Sequence, residues 1–228
     1  MQLNPTARSD RAFTATEAMI VVVMLMVLAV LAMMWVKDQQ AKSEKAARIR
    51  CVGNLKNLGL AFKVFANDND DKFPFATTNV LAGGNDHTLW LHFQAMSNEC
   101  GSAKILVCPA DRERYHNIKS DFSAGPDGLA SAGNAAVGFA AGLDASDLNS
   151  NSILLLDRNL VTNSWNLRGK VLLPFPGRPP AGDGSQHKLC GNLSLSDGSV
   201  QQVTLAGLSN QVAQAGIATN RLLLPLLP

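Results

Sequence analysis

The sequence predicts an α+β protein in which one long N-terminal helix packs against an antiparallel sheet. Three observations lead there. No proline occurs between Pro5 and Pro74, so nothing interrupts a helix over that stretch. Turn formers crowd the remainder: eight of the ten prolines fall at or after Pro109, and thirteen of the eighteen glycines lie beyond position 120. Between those turn formers sit short apolar runs, the pattern of short strands. A chain of 228 residues suits one domain with a long appendage, and 46% hydrophobic content excludes disorder. The net charge of only +2 carries no electrostatic footprint for nucleic acid, and none is expected as a partner.

The first element is apolar. From Phe13 to Val36 the only charge is Glu17. At about 1.5 Å per residue this run spans roughly 36 Å as a helix, enough to cross a hydrocarbon core of about 30 Å. Trp35 and Lys37 stand at its far end, where an amphipathic ring and an ammonium suit a membrane interface. A cleaved secretory signal ending near Val30-Leu31-Ala32 is the competing interpretation. The apolar run is too long for a signal core, helical periodicity continues past Ala32, and a carboxylate occupies its first turn. Charge alone does not orient the span. Lys37, Lys42, Lys45, Arg48 and Arg50 outnumber Asp38 and Glu44, which by a plain positive-inside count would put the C-terminal side in the cytoplasm.

The second element continues the first. Ile49, Val52, Leu55, Leu58, Phe62 and Phe65 recur at spacings of three or four, an amphipathic stripe, while Arg48, Arg50, Asn54, Lys56 and Lys63 mark the other face. One helix from about Phe13 to Ala66 follows, ended by the turn formers from Asn67 to Asp71. Beyond it, Lys104 to Val107, Ala136 to Ala141 and Ile153 to Leu156 are expected strands. Asp197-Gly198, between Leu193–Leu195 and Val203–Leu205, predicts a two-residue hairpin with positive φ at both turn positions. Leu89 to Ser97 and Leu208 to Asn220 are expected helices, and Pro174 to Pro180 an exposed loop.

The residues Arg11-Ala12-Phe13-Thr14-Ala15-Thr16-Glu17, followed by the apolar run, resemble the N-terminal cleavage and methylation signature of type IV pilins and type II secretion pseudopilins. The resemblance implies cleavage by a prepilin peptidase between Ala12 and Phe13, N-methylation of Phe13, and an assembly role for Glu17. It also implies a single-pass protein of a bacterial inner membrane with its C-terminal head outside the cytoplasm. Residues 1–12 would be a cytoplasmic leader, 13–36 the transmembrane helix, 37–66 its amphipathic continuation and 67–228 a globular α+β head. Ala12 stands where the family usually has Gly, and Met34 where many members have a helix-bending proline. Four further segments resemble a subgroup of bacterial pseudopilin-like proteins: CVGNLKNLGLAFKVFANDNDDKFP (51–74), ILVCPAD (105–111), LLLDRN (154–159) and GNLSLSDGSVQQV (191–203).

The glutamate has its own physical logic. A charged carboxylate inside a bilayer costs about 2.5 to 3.5 kcal/mol and calls for a partner. Cleavage would create one, the Phe13 amine, and in the family this Glu pairs with that amine on a neighbouring subunit. Otherwise Glu17 only snorkels to the headgroups beside the positive end of the helix.

In the head, four cysteines at 51, 100, 108 and 190 allow three sets of pairings in an oxidising compartment, with Cys100–Cys108 the most local. Reduced, buried thiols are the alternative. Zinc held by Cys100, Cys108, His187 and Cys190 lacks the close C-x(2–4)-C spacing of usual sites, and no metal site is expected. The acidic run Asp68 to Asp71 and the segment Asp183-Gly184 invite a calcium reading, but the run lacks the Gly and distal Glu of a calcium loop and reads better as a helix-ending polar turn. His87, His92 and His116 accompany no nucleophile motif, so neither an enzyme nor a cofactor is expected. The expected function is a structural subunit of a type II secretion pseudopilus or type IV pilus-like filament. Its partners would be the peptidase, other pilin-like subunits, the secretion or pilus assembly machinery and the membrane. The alternative is a non-assembling single-span protein with an extracytoplasmic ligand-binding head. The processing expectation is directly testable: mature protein begins with N-methyl-Phe13, and Ala12→Leu blocks cleavage, both read by intact mass and N-terminal sequencing of the membrane fraction.

Overall fold

The proline-free stretch folds as a single α-helix, α1 (Ala15–Asn67), of 53 residues. The structure is a computed structural model that describes residues 15–77, 88–160, 187, 190–217 and 221–225. The expected leader, the loop from 174 to 180, His87 and Asp183-Gly184 lie outside those residues. The helix stops where expected. Asp70 and Asp71 take positive φ of 55° and 58°, a conformation that short polar side chains tolerate, and Asp71 N–H donates to the Ala66 carbonyl at 3.0 Å.

The chain divides into two compact units, Met1–Lys45 and Ala46–Pro228. In the first, the large apolar side chains from Met19 to Val36 are 45 to 70% exposed, and a Lys42–Asp38 pair at 2.6 Å bridges one turn. In the second, α1 buries Cys51, Leu55, Leu58, Gly59, Ala61, Phe62, Phe65 and Ala66. The stripe therefore starts at Cys51, one position away from the expected Val52. Ile49 is exposed. The expected solvent face also needs correction at its edges. Asn54 Nδ2 donates to the Val107 carbonyl at 2.9 Å, Arg48 to the His187 carbonyl at 3.2 Å, and Lys63 pairs with Asp147 at 2.7 Å. These three residues thus bind the unit, the long Arg48 and Lys63 side chains reaching over the rim of the stripe, while Arg50 and Lys56 are exposed as expected.

After α1 come four short helices, α2 (Leu89–Ala95), α3 (Ser97–Cys100), α4 (Arg112–Tyr115) and α5 (Leu129–Ala132). The strands are β1 (Phe139–Gly142), β2 (Ile153–Asp157), β3 (Cys190–Leu195) and β4 (Val200–Thr204). Helix α6 (Leu205–Ala215) and strand β5 (Leu222–Leu223) follow. The sheet order is β4-β3-β2-β1-β5, and every pairing is antiparallel. The α+β class read from the sequence is the observed one.

Four expected elements differ in whole or in part. Ala103–Leu106 is a 3₁₀ helix, not a strand: the Ser102 hydroxyl caps it by accepting from Lys104 N–H at 3.3 Å, and Ala103 and Leu106 bury one side at 3₁₀ spacing. The same applies to Ala136, which closes a second 3₁₀ turn before β1. The β3–β4 turn has positive φ at Gly198 alone, 84°. Gly198 N–H donates to the Leu195 carbonyl and Leu195 N–H to the Ser199 carbonyl, each at 2.9 Å. This is a three-residue loop whose last residue is left-handed, so Asp197 needs no positive φ. Helix α6 lies earlier than expected, because Thr204 caps its start by accepting from Gly207 N–H and Gly216 ends it at φ 62°.

Both faces of the sheet are covered. Phe139, Ala141, Leu154, Leu155 and Leu223 join the core under α1, where Phe62 packs against Phe73, Phe75 and Phe93 with ring centroids 5.3 to 6.1 Å apart. Ala140, Ile153, Leu156, Leu193 and Val203 join a second core with Leu208 of α6. Adjacent Leu154 and Leu155 share one core because the β2–β3 register shifts between Ile153 and Leu155, a bulge that breaks strict alternation. At Gly59 a Cβ would come 3.1 Å from the Ser194 hydroxyl and 3.4 Å from Gly198 Cα, so the helix approaches the hairpin through a glycine. Neighbouring positions on α1 should respond differently. Phe62→Ala should cost about 3 to 5 kcal/mol in denaturant unfolding, while Leu60→Ala, on the exposed side, should stay within about 0.5 kcal/mol.

Candidate functional site

Two regions hold chemistry beyond packing. The first is the apolar half of α1, a helix long and apolar enough to cross a membrane. Glu17 lies in its first turn, where backbone N–H groups and the helix dipole favour a carboxylate. Ala12 and Phe13, the expected cleavage and methylation positions, lie outside the described residues.

The second is a buried polar junction between α1 and the sheet. Cys51, on the buried stripe of α1, forms a disulfide with Cys108, with Cα atoms 4.7 Å apart at a sequence separation of 57. The local Cys100–Cys108 pairing is therefore corrected. Cys100 is a free thiol on the short α3, and burial together with neighbouring Glu99 pushes its pKa up to about 12. It is a poor nucleophile. His187, from the expected zinc set, does meet Cys108: its Nε2 lies 3.4 Å from Cys108 Sγ and 3.4 Å from Asp157 Oδ2. The second sulfur near it belongs to Cys51, which that set omitted.

Asp157 ends β2 and is wholly buried. Asn192 on β3 supports it twice, with its backbone N–H at 2.8 Å and its Nδ2 at 2.9 Å from Oδ2. Oδ1 has no hydrogen-bond partner among the described residues. Burial raises the Asp157 pKa from 3.8 to about 7; the Asn192 bonds oppose the shift and nearby Asp111 adds to it. Burial lowers His187 to about 4, and the Arg48 charge adds to that effect. Both groups are thereby driven toward their neutral forms.

Beside this junction lies an ion network. Asp111 caps α4 by accepting from Arg114 N–H at 3.2 Å and takes a bidentate contact from Arg158 at 2.5 and 2.8 Å. Arg158 also reaches Glu113. Buried Arg114 donates to the carbonyls of Asn134 at 2.8 Å and Pro225 at 2.7 Å, tying the end of the described chain to the helical region. Its charge sits near Arg158, and the two acids between them offset that repulsion. His92 is a core histidine stacked edge-on to Phe75 at 4.9 Å, and burial lowers its pKa.

No protein-family model, curated protein or solved structure matches this chain.

The junction is assembled from all four later segments singled out in the sequence. The first contributes Cys51, the second Cys108 and Asp111, the third Asp157 and Arg158, and the fourth Asn192. What sequence reasoning missed was that they meet. The available signal was the presence of a polar or sulfur-bearing residue in each otherwise apolar run, a placement that costs stability unless a partner exists.

The two shifted groups oppose each other in pH dependence. Asp157, raised in the fold, contributes stability that is present below pH 3.8 and lost as pH rises through about 7. His187, lowered in the fold, contributes stability that is present above pH 6.5 and lost as pH falls through about 4. In the oxidised protein His187→Gln should therefore become less stable as pH rises from about 4.5 to about 6.5, and Asp157→Asn more stable, by denaturant midpoints at the two values.

Proposed function

We propose that this chain is a pilin-like structural subunit, inserted in a bacterial inner membrane by the apolar half of α1 and assembled into a type II secretion pseudopilus or type IV pilus-like filament. The observation that carries the reading is the helix itself. Its apolar side chains from Met19 to Val36 are exposed on every side, and the same helix ends by burying a narrow stripe on an antiparallel sheet. A lipid bilayer or a bundle of identical helices would cover such a segment. The preceding Ala12-Phe13 and the Glu17 carboxylate supply the processing and assembly chemistry. Prepilin peptidase would remove residues 1–12 and free the Phe13 amine, and Glu17 would pair with that amine on a neighbouring subunit as helices bundle.

Glu17 separates assembly from anchoring. Glu17→Val makes the span more apolar, so membrane insertion should be at least as efficient as in the wild type, while filament recovery and subunit cross-linking should fail. Glu17→Gln keeps the shape but leaves an ammonium without its counter-charge in a medium of low dielectric, and it should fail as well. Wild-type amounts of assembled material from Glu17→Val would overturn the reading in favour of a non-assembling single-span protein whose head binds a ligand.

A further inference from the structure

The disulfide, His187 and Asp157 have a geometry that the disulfide alone does not need. The Sγ atoms of Cys51 and Cys108 and a ring nitrogen of His187 lie within 4.8 Å of one another, and all three residues are buried. His187 Nε2 is 3.4 Å from Cys108 Sγ and 3.4 Å from Asp157 Oδ2. In a tetrahedral zinc site, with bonds of about 2.3 Å to sulfur and about 2.0 Å to nitrogen or oxygen, adjacent ligand atoms are about 3.3 to 3.8 Å apart. Two edges of such a tetrahedron are already present. The remaining carboxylate oxygen, Asp157 Oδ1, is buried without a partner among the described residues, a costly arrangement for a group that no ligand uses.

We propose that the reduced protein binds one zinc ion through Cys51, Cys108, His187 and Asp157, and that the disulfide is the oxidised, metal-free form of the same site. Two thiolates, an imidazole and a carboxylate suit a borderline-soft tetrahedral ion and not calcium or magnesium, which take oxygen ligands alone. The supporting layer is in place. Asn192 fixes the Asp157 carboxylate through two hydrogen bonds, and Arg48 holds the His187 backbone carbonyl at 3.2 Å. Two thiolates and a carboxylate around a divalent ion leave one negative charge, which the Arg48 guanidinium offsets.

The interconversion balances. A dithiol reductant gives two electrons and two protons to the Cys51–Cys108 bond and is itself oxidised to a disulfide. Zinc then displaces both thiol protons to solvent and bonds to the two thiolates. The sulfurs separate to zinc-ligand distance, with no change of ligand in the rest of the site. In the reverse direction a disulfide oxidant accepts the two electrons from the thiolates and two protons from solvent, is itself reduced to a dithiol, and the closed Cys51–Cys108 bond ejects the ion. The site therefore reports the redox state of its surroundings as zinc held or zinc released, whether or not the chain assembles into a filament.

The test uses the full chain in mild detergent, reduced with a phosphine, freed of metal and titrated with zinc against a chromophoric chelator. Reduced wild type should take up one zinc per chain and oxidised wild type none. Cobalt added to the reduced protein should give an intense tetrahedral visible spectrum with a thiolate charge-transfer band. His187→Ala should weaken zinc binding by more than about tenfold, and near-isosteric Asp157→Asn should alter the cobalt spectrum, while Cys100→Ser should change neither. Failure of the reduced wild type to take up stoichiometric zinc would overturn the proposal without recourse to any variant. Undiminished affinity in both His187→Ala and Cys108→Ser would do the same.

Discussion

The second unit is organised by the need of one helix to bury a narrow stripe of its surface. From Cys51 to Ala66, α1 offers one apolar line with polar residues close on either side, and the sheet and short helices supply the surface that covers it. Phe62 is the centre of that line. Its ring contacts three other phenylalanines, so the turn after α1, which carries Phe73 and Phe75, and α2, which carries Phe93, are held to the same point. Gly59 lets the helix come close enough to the β3–β4 hairpin for both to share the core.

Burying the stripe also sets the helix in register. An apolar line alone tolerates sliding and rotation, whereas polar contacts at its margins do not. Asn54 binds the Val107 carbonyl, Lys63 pairs with Asp147, and the Cys51–Cys108 bond joins the helix covalently to the segment after the 3₁₀ turn. Individually the hydrogen bonds contribute about 1 kcal/mol each, and a disulfide closing a loop of this length about 4 kcal/mol. Their directional character selects one arrangement from many that would bury the same area.

The polar interior extends that logic to the sheet. Asp157 joins β2 to β3 through Asn192, and Asp111 joins the helical region to the turn after β2 through Arg158. Such groups add little net stability when paired and cost several kcal/mol when one partner is removed, so they act as specificity devices. Around the disulfide they have a second consequence. A histidine held beside two sulfurs, with a carboxylate 3.4 Å from its ring, offers a donor set, and the same residues that lock the fold in its oxidised form would supply metal ligands in its reduced form.

Where the information was local, the sequence by itself determined the outcome. The helix from Ala15 to Asn67 follows from the lack of proline and the turn formers at its end, and β2 and the β3–β4 hairpin from short apolar runs and Asp197-Gly198. The apolar span of α1 and the position of Glu17 within it are likewise plain in one dimension. Tertiary structure decided the rest. Lys104 to Val107 looks like a strand by composition, and a capping serine with burial on one side made Ala103–Leu106 a 3₁₀ turn. Cys51 reads as one small apolar residue of a helical stripe, and nothing nearby in sequence marks it as the partner of Cys108 in place of Cys100. Propensity and periodicity act over a few residues through backbone sterics and so can be read along the chain. Disulfide pairing and buried polar contacts depend on which surfaces the packed core brings within a few ångströms, and that distance exists only after folding.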